Sequence, residues 1–369
     1  MPLVGSTIPL IDFKLFLESR PAWLLKAIQP PLPRLTAFRL GAAVAPRGQV
    51  GWVTARAKFL ARALLHPSAT AMWGGALSHG FGPDLIRLHP RLAGKLQRPY
   101  LHCRWNVRRK LEALRAHYAA LPSLLAHGAL LQAYGRGLTL LRLHDQASGR
   151  RLELRLSYLD QFEKEGELNL ALVDEGAGLA LAGMTFALVE TAGLLSLWIG
   201  GLQSTPDPKA RACIAEVTKE LHGFRPKALL FWAVQGLARS WKLRDIRAVS
   251  DDAHIYRHRH KRRAFAARYD TFWSECGGTR AGSQWLLPLE TAQRPRSEIK
   301  PSRRKAHERR YALLRSLEPD WTAALTAVAP PRPPNPFLAN RVAPAKTFGF
   351  EGGRPAGVFI PAGEPVLAD

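Results

Sequence analysis

The sequence predicts an α/β fold of the α+β kind: N-terminal helices, then a mostly antiparallel sheet with a strand-helix-strand-helix-strand C-terminal half. Three observations carry that expectation. Apolar residues recur at helical spacing between Trp52 and Leu121, and the period changes to two between Leu138 and Val189. The stretch from Leu194 to Ser250 then reads as a strand, a Gly-Gly turn, two helices and a second strand, which is where an α/β fold places a ligand-facing edge.

Residues 1–48 are apolar but interrupted by Pro21, Pro30, Pro31 and Pro33, so an irregular segment with one short helix near 10–17 is expected. Residues 49–135 form the expected helical region. Trp52, Phe59, Leu60, Ala63 and Leu64 share helical spacing, and Leu85, Leu88, Leu92 and Leu96 continue it. Arg87, Arg91 and Lys95 recur at intervals of four and read as a solvated face. A further helix carries Leu111, Leu114, Tyr118 and Leu121 and is disrupted at Pro122.

Residues 136–320 are expected to form a mixed-sheet core. Leu152, Leu154, Leu156 and Tyr158 alternate with polar residues and pair with 138–144 as a hairpin, and 168–173 with 179–189 as a second. After the strand that starts at Leu194 and runs into the Gly-Gly turn, Asp207 caps a helix that runs to about Leu221. Gly223 stops it, and Pro226 starts another over 227–241 with Leu230, Val234 and Leu237 inward. A strand at 245–250, a helix at 264–273, a turn at Cys276-Gly277-Gly278 and a strand at 284–289 follow. Residues 327–369 are rich in Pro, Gly and Ala and are expected to be a disordered tail.

A formal net charge of +24 suits partners that carry phosphate: a small molecule, an anionic membrane surface or nucleic acid, the last resting on charge alone. The arginines are spread along the chain, which a base-composition bias explains equally well. Three widely spaced cysteines supply neither a disulfide framework nor a metal knuckle, so a cytoplasmic protein, peripheral at the inner membrane if it meets one, is expected. Asp12, Lys14 and Glu18 interrupt the first apolar run, which argues against a signal peptide, and no long charge-free apolar stretch predicts a membrane span.

Asp251, Asp252, His254 and Tyr256 follow a strand end and include a carboxylate–imidazole pairing suited to general-base work. The alternative is that Asp251 or Asp252 caps the next helix and His254 packs beneath it. His254 and His258 share a helical face, but Arg257, Arg259, Lys261 and Arg262 around them repel a cation, so no metal is expected. The His258-Arg-His-Lys-Arg-Arg263 run suits phosphate or a solvated face. Lys219, Gly223, Arg225 and Lys227 surround a helix start and form a candidate anion site.

The strings TKELHGFRPKALL at 218–230, AVSDDAHIYR at 248–257, YDTFWSECGG at 269–278 and the basic segment 300–311 together resemble the VirK/YbjX family of bacterial proteins. The resemblance runs from about Trp52 to Leu317. It implies a link to virulence, the bacterial envelope and antimicrobial-peptide resistance, and it carries no catalytic residues.

The order of elements also resembles the acyl-CoA-dependent N-acyltransferase (GNAT-like) fold. That resemblance implies acyl-CoA as cofactor, with its pyrophosphate on amides at Gly200, Gly201, Gln203, Ser204 and Thr205. The chain departs from that pattern at Pro206 and Pro208, which have no amide hydrogen. In the same fold a tyrosine four residues before a glycine protonates the leaving thiolate. Trp273 holds that spacing from Gly277, and Tyr256 and Tyr269 are the neighbouring phenols. The expectation is an acyltransferase using Asp252 or His254 as base, against a non-enzymatic adaptor on an anionic membrane or a partner protein.

Overall fold

The computed structural model describes residues 40–41, 44, 52–144, 148–204, 208–257 and 269–331. The expected irregular segment 1–48 lies almost wholly outside them, as do Thr205, the 258–263 basic run and the tail from residue 332. The first helical pattern folds as α1 (Trp52–Leu65), α2 (Pro67–Leu77) and α3 (Gly82–Leu88), with prolines in the first turns of α2 and α3 where no amide hydrogen is needed. Pro90 then ends the α-helical period, and Pro90–Gln97 forms a 3-10 helix instead. The solvated reading of the basic stripe therefore holds for the exposed Arg87 and Arg91 and is corrected for Lys95, which the changed turn geometry buries fully.

In α4 (Val107–Leu124) the Asn106 side chain accepts a hydrogen bond from the Arg109 amide at 2.9 Å, an N-cap that satisfies an otherwise orphaned donor. Pro122 does not disrupt this helix, which runs two residues beyond it. The helical region ends with α5 (His127–Tyr134).

Among the described residues one eight-stranded sheet follows, in the order β1-β2-β3-β4-β5-β6-β8-β7. The strands are β1 (Leu138–His144), β2 (Arg151–Ser157), β3 (Leu168–Asp174), β4 (Leu179–Thr191), β5 (Leu194–Gln203), β6 (Ile246–Val249), β7 (Thr279–Ala281) and β8 (Gln284–Leu287). Every neighbouring pair is antiparallel except β5 with β6. That parallel pair requires a crossover, supplied by α6 (Pro208–Glu220) and α7 (Pro226–Ser240). Helix α8 (Tyr269–Glu275) precedes the closing hairpin, and α9 (Pro301–Ala327) follows it.

Both faces of the sheet are covered, so β4 reads as a nearly continuous apolar run. Phe186 and Leu188 pack with Leu230 and Val234 of α7, whereas Ala187 and Val189 pack with Leu111 and Leu114 of α4. Full burial of a side chain such as Phe186 contributes about 1.5–3 kcal/mol. Two further differences from the sequence reading concern the edges. Gly200 and Gly201 lie within β5 and do not form a turn, and the basic segment after Lys300 opens a long helix whose Trp321 and Leu325 are buried.

Candidate functional site

Strands β5 and β6 run side by side only from the Leu197–Ile246 pair to the Ile199–Ala248 pair. Beyond this point β5 continues to Gln203 on β4 alone, while the chain after β6 turns through Ser250–Ala253 to His254. The register of β4 against β5 also shifts here: Phe186 faces Ile199 and Thr185 faces Gly201, which leaves Gly200 as the extra residue of a bulge. A Cβ at Gly200 would overlap the Glu165 carbonyl oxygen, and one at Gly201 would overlap the Glu165 carboxylate. The two glycines thus admit the loop that carries Glu165 against the sheet.

Glu165 is 4% exposed. Its carboxylate accepts a hydrogen bond from Gln203 Nε2, and its Oε1 stands 3.5 Å from His254 Nε2. Gln203 is fixed in turn: its Nε2 donates to Thr185 Oγ1 at 2.9 Å, and its Oε1 accepts from Asn169 Nδ2 at 3.1 Å. His254 is fully buried, with the rings of Tyr269 and Tyr256 at 5.3 and 5.6 Å. Burial and the neighbouring Glu165 carboxylate push both phenols above their ordinary pKa, so both remain protonated donors at neutral pH.

The loop around Glu165 is pinned on either side. Glu163 accepts from Arg91 at 3.0 Å and Arg98 at 2.6 Å, and Glu167 accepts from Lys95 at 2.8 Å and from the Tyr118 hydroxyl. Burial lowers the Lys95 pKa, against the pull of Glu167. The basic residues of the 3-10 helix therefore hold the segment from Glu163 to Glu167 in place.

The structure brings His254, Tyr256 and Tyr269 together but turns Asp252 elsewhere. Asp252 is paired with Arg104 at 2.8 Å and Arg280 at 2.9 Å and accepts from Ser250 Oγ at 2.5 Å. Asp251 accepts from the Tyr269 amide at 2.8 Å, as the capping alternative expects of a carboxylate at this place.

Of the candidate phosphate contacts, Gly200 and Gly201 face Glu165, Gln203 belongs to the network just described, and Ser204 is exposed. Lys219 is exposed in the last turn of α6. Gly223 has φ +77°, and the Arg310 guanidinium lies over its Hα face while Arg310 Nε donates to the His222 carbonyl at 2.8 Å. Arg225 pairs with Glu275 at 2.5 Å, and Lys227 Nζ lies 4.4 Å from the centroid of the Phe272 ring. Burial, then the positive charges of Arg310, Arg294 and Arg303, lower the pKa of His307. Burial, then Arg303 and Arg225, do the same to Arg310. Helix α9 thus adds its own cation, Arg310, to the GFRP break. Helix α8 spans the two places, with Tyr269 beside His254 and Glu275 beside Arg225, about 9 Å apart along the helix axis.

Sequence reasoning missed Glu163, Glu165 and Glu167, because Glu-Lys-Glu-Gly-Glu before a strand reads as a solvated turn. The available signal was the clustering itself, three acids within five residues of a strongly basic chain. Among the described residues no group of three metal-ligating side chains converges, and no helix is long and apolar enough to cross a membrane.

Comparison with known proteins places these residues in a family. The model of the family described as "Protein of unknown function (DUF535)" matches residues 48–322. The chain is 34% identical to the uncharacterized protein YbjX of Escherichia coli over 270 residues, 72% of this chain and 81% of that protein. It is 25% identical over 164 residues to an uncharacterized protein of Haemophilus influenzae, 44% of this chain and 54% of that protein. No solved structure matches.

Proposed function

The chain belongs to the DUF535 family, and on the geometry of its sheet we propose that it is an acyltransferase that uses an acyl-CoA-type thioester at the parting of β5 and β6. One observation carries the reading: a buried imidazole–carboxylate pair, His254 with Glu165, stands where a bulged strand leaves its parallel neighbour. The sheet order and the single parallel pair agree with the element order of the N-acyltransferase resemblance.

In this reading the Glu165–His254 pair accepts the proton that an amine or hydroxyl nucleophile releases as it attacks the thioester carbonyl. The carbon–sulfur bond breaks, and the partly buried Tyr256 gives the departing thiolate its proton. Gln203 holds Glu165 in orientation and does not touch the reacting atoms. Phosphates of the thioester's carrier fit Arg310, whose guanidinium lies over Gly223, together with Arg225 at the start of α7, where amide hydrogens and positive side chains combine. They do not fit an open cradle at Gly200 and Gly201, whose Hα faces are filled by Glu165.

The test is release of free thiol from acetyl- and long-chain acyl-CoA by the full chain, with simple amines as acceptors. Glu165→Gln and His254→Ala are expected to lose about 100-fold or more in rate, in line with removal of a general base. Absence of thiol release together with absence of acyl-CoA binding in titration calorimetry overturns the reading.

A further inference from the structure

Helix α1 has two apolar faces. Phe59 and Ala63 are buried against the protein, whereas Val53, Ala57, Ala61, Leu64 and Leu65 form a second stripe at helical spacing that points outward. Val53 is 60% exposed, Leu64 56% and Leu65 74%, and Met72 of the adjoining α2 is 42% exposed. The exposed cations Lys58 and Arg62 flank this stripe. A soluble surface does not need three large apolar side chains on the outer face of one helix.

Charge identifies the occupant. Between Glu18 and Asp84 the sequence has no acidic residue, while Arg56, Lys58 and Arg62 all lie on α1. A second copy of the chain seated on the same face would bring two patches whose only charged side chains are cations against each other, because a two-fold interface uses the same patch on both copies. The chain's own N-terminal segment adds more cations and has only Asp12 and Glu18 as acids. Nucleic acid would pair with the cations but leave the leucines in water. A leaflet with anionic headgroups satisfies both features: the apolar stripe enters the headgroup–acyl boundary and Lys58 and Arg62 meet lipid phosphates.

We infer that the outward face of α1 is a docking surface for an anionic lipid bilayer, with the helix lying in the plane of the interface. The helix is about 21 Å long, enough to rest along the headgroup layer and too short to span the bilayer. This inference is independent of the acyl-transfer chemistry, since α1 contributes no residue to the His254 site.

The experiment is flotation of the full chain with vesicles of phosphatidylcholine alone and with added phosphatidylglycerol. Leu64→Ser/Leu65→Ser changes the apolar stripe without changing the charge, and Lys58→Ala/Arg62→Ala removes the flanking cations. All four side chains are exposed, so thermal melts are expected to match wild type and to report any misfolding. Binding to phosphatidylglycerol vesicles, at least tenfold weaker in each double variant and absent on phosphatidylcholine alone, is the expected result. Equal binding by wild type and Leu64→Ser/Leu65→Ser, or no flotation of wild type with anionic vesicles, overturns the inference.

Discussion

His254 Nε2 stands 3.5 Å from Glu165 Oε1, and the two residues reach this pairing from opposite sides of the β5/β6 parting. Glu165 arrives on the loop before β3, over the glycines of β5, and His254 arrives on the turn after β6. The pairing depends on space that β5 leaves open, so it is testable through residues that have no chemistry of their own.

Gly200→Ala places a Cβ on the Glu165 carbonyl oxygen and 2.7 Å from Leu101 Cδ1. Backbone cannot yield as a flexible side chain can, so stability should fall by about 1–3 kcal/mol. Gly128→Ala in α5 is the control, because a Cβ there meets nothing within 4 Å. The control should be neutral or stabilise by up to about 1 kcal/mol. Urea denaturation of both variants checks this, and equal midpoints would contradict the close approach.

Lys95→Met leaves the Glu167 carboxylate buried without its cation and should cost about 3–5 kcal/mol. Replacing both partners with apolar residues removes the uncompensated charge, so Lys95→Met/Glu167→Met should recover much of the loss. The measurement is a double-mutant cycle in urea. Additive losses in the double variant would mean that the pair is not coupled.

Asp174, Asp245 and Asp252 all have carboxyls held below their ordinary pKa. In each case burial pushes upward and is outweighed, by the Ala177 amide and Arg150 for Asp174, by Arg247 for Asp245, and by Ser250, Arg280 and Arg104 for Asp252. A folded value below the unfolded one stabilises fully above the ordinary carboxylate range, about pH 4, and that stability is lost as the pH falls through the folded values. Urea midpoints should therefore drop below about pH 4. Arg150→Ala removes the guanidinium that lies 2.5 Å from Asp174, so the acid limb of that variant should be shallower. An equally steep limb in the variant would sink this assignment.

Burial, then the Asp174 carboxylate that accepts its hydrogen bond, pushes the Cys213 thiol up to about 11. Burial and the neighbouring Glu275 push Cys276 up to about 12. Thiolate is the reactive form, so both should be nearly inert to iodoacetamide at pH 7.5 while the less buried Cys103 is alkylated first. Peptide mapping after a timed exposure reports the order, and early labelling of Cys276 is the contrary result.

The periodicities were enough to place α1, α4, the meander and the crossover, because each of those elements buries a regular face. The apolar alternation of 152–158 and the Gly223–Pro226 break are examples in which local pattern and tertiary role agree. What stayed hidden depends on partners distant in sequence. Lys95 looks like a wet residue until Glu167 and Tyr118 are placed around it, and Glu165 looks like a turn residue until Gly200 and Gly201 make room for it. Gly200-Gly201 reads as a turn because glycine serves turns and close approaches alike, and only the register against β4 separates the two. For the same reason a carboxylate was sought beside His254 in sequence, at Asp252, whereas Glu165 stands there in space.

The most direct test of the account is native mass spectrometry of the full chain after incubation with an acyl-CoA, wild type against Arg310→Ala. The account predicts a bound adduct with the mass of the CoA species on wild type and its loss, or about tenfold weaker retention, when the guanidinium over Gly223 is removed. Wild-type protein that carries no adduct at any acyl chain length, or an adduct held equally by Arg310→Ala, contradicts the placement of a phosphate-bearing thioester between the α7 start and the His254 site.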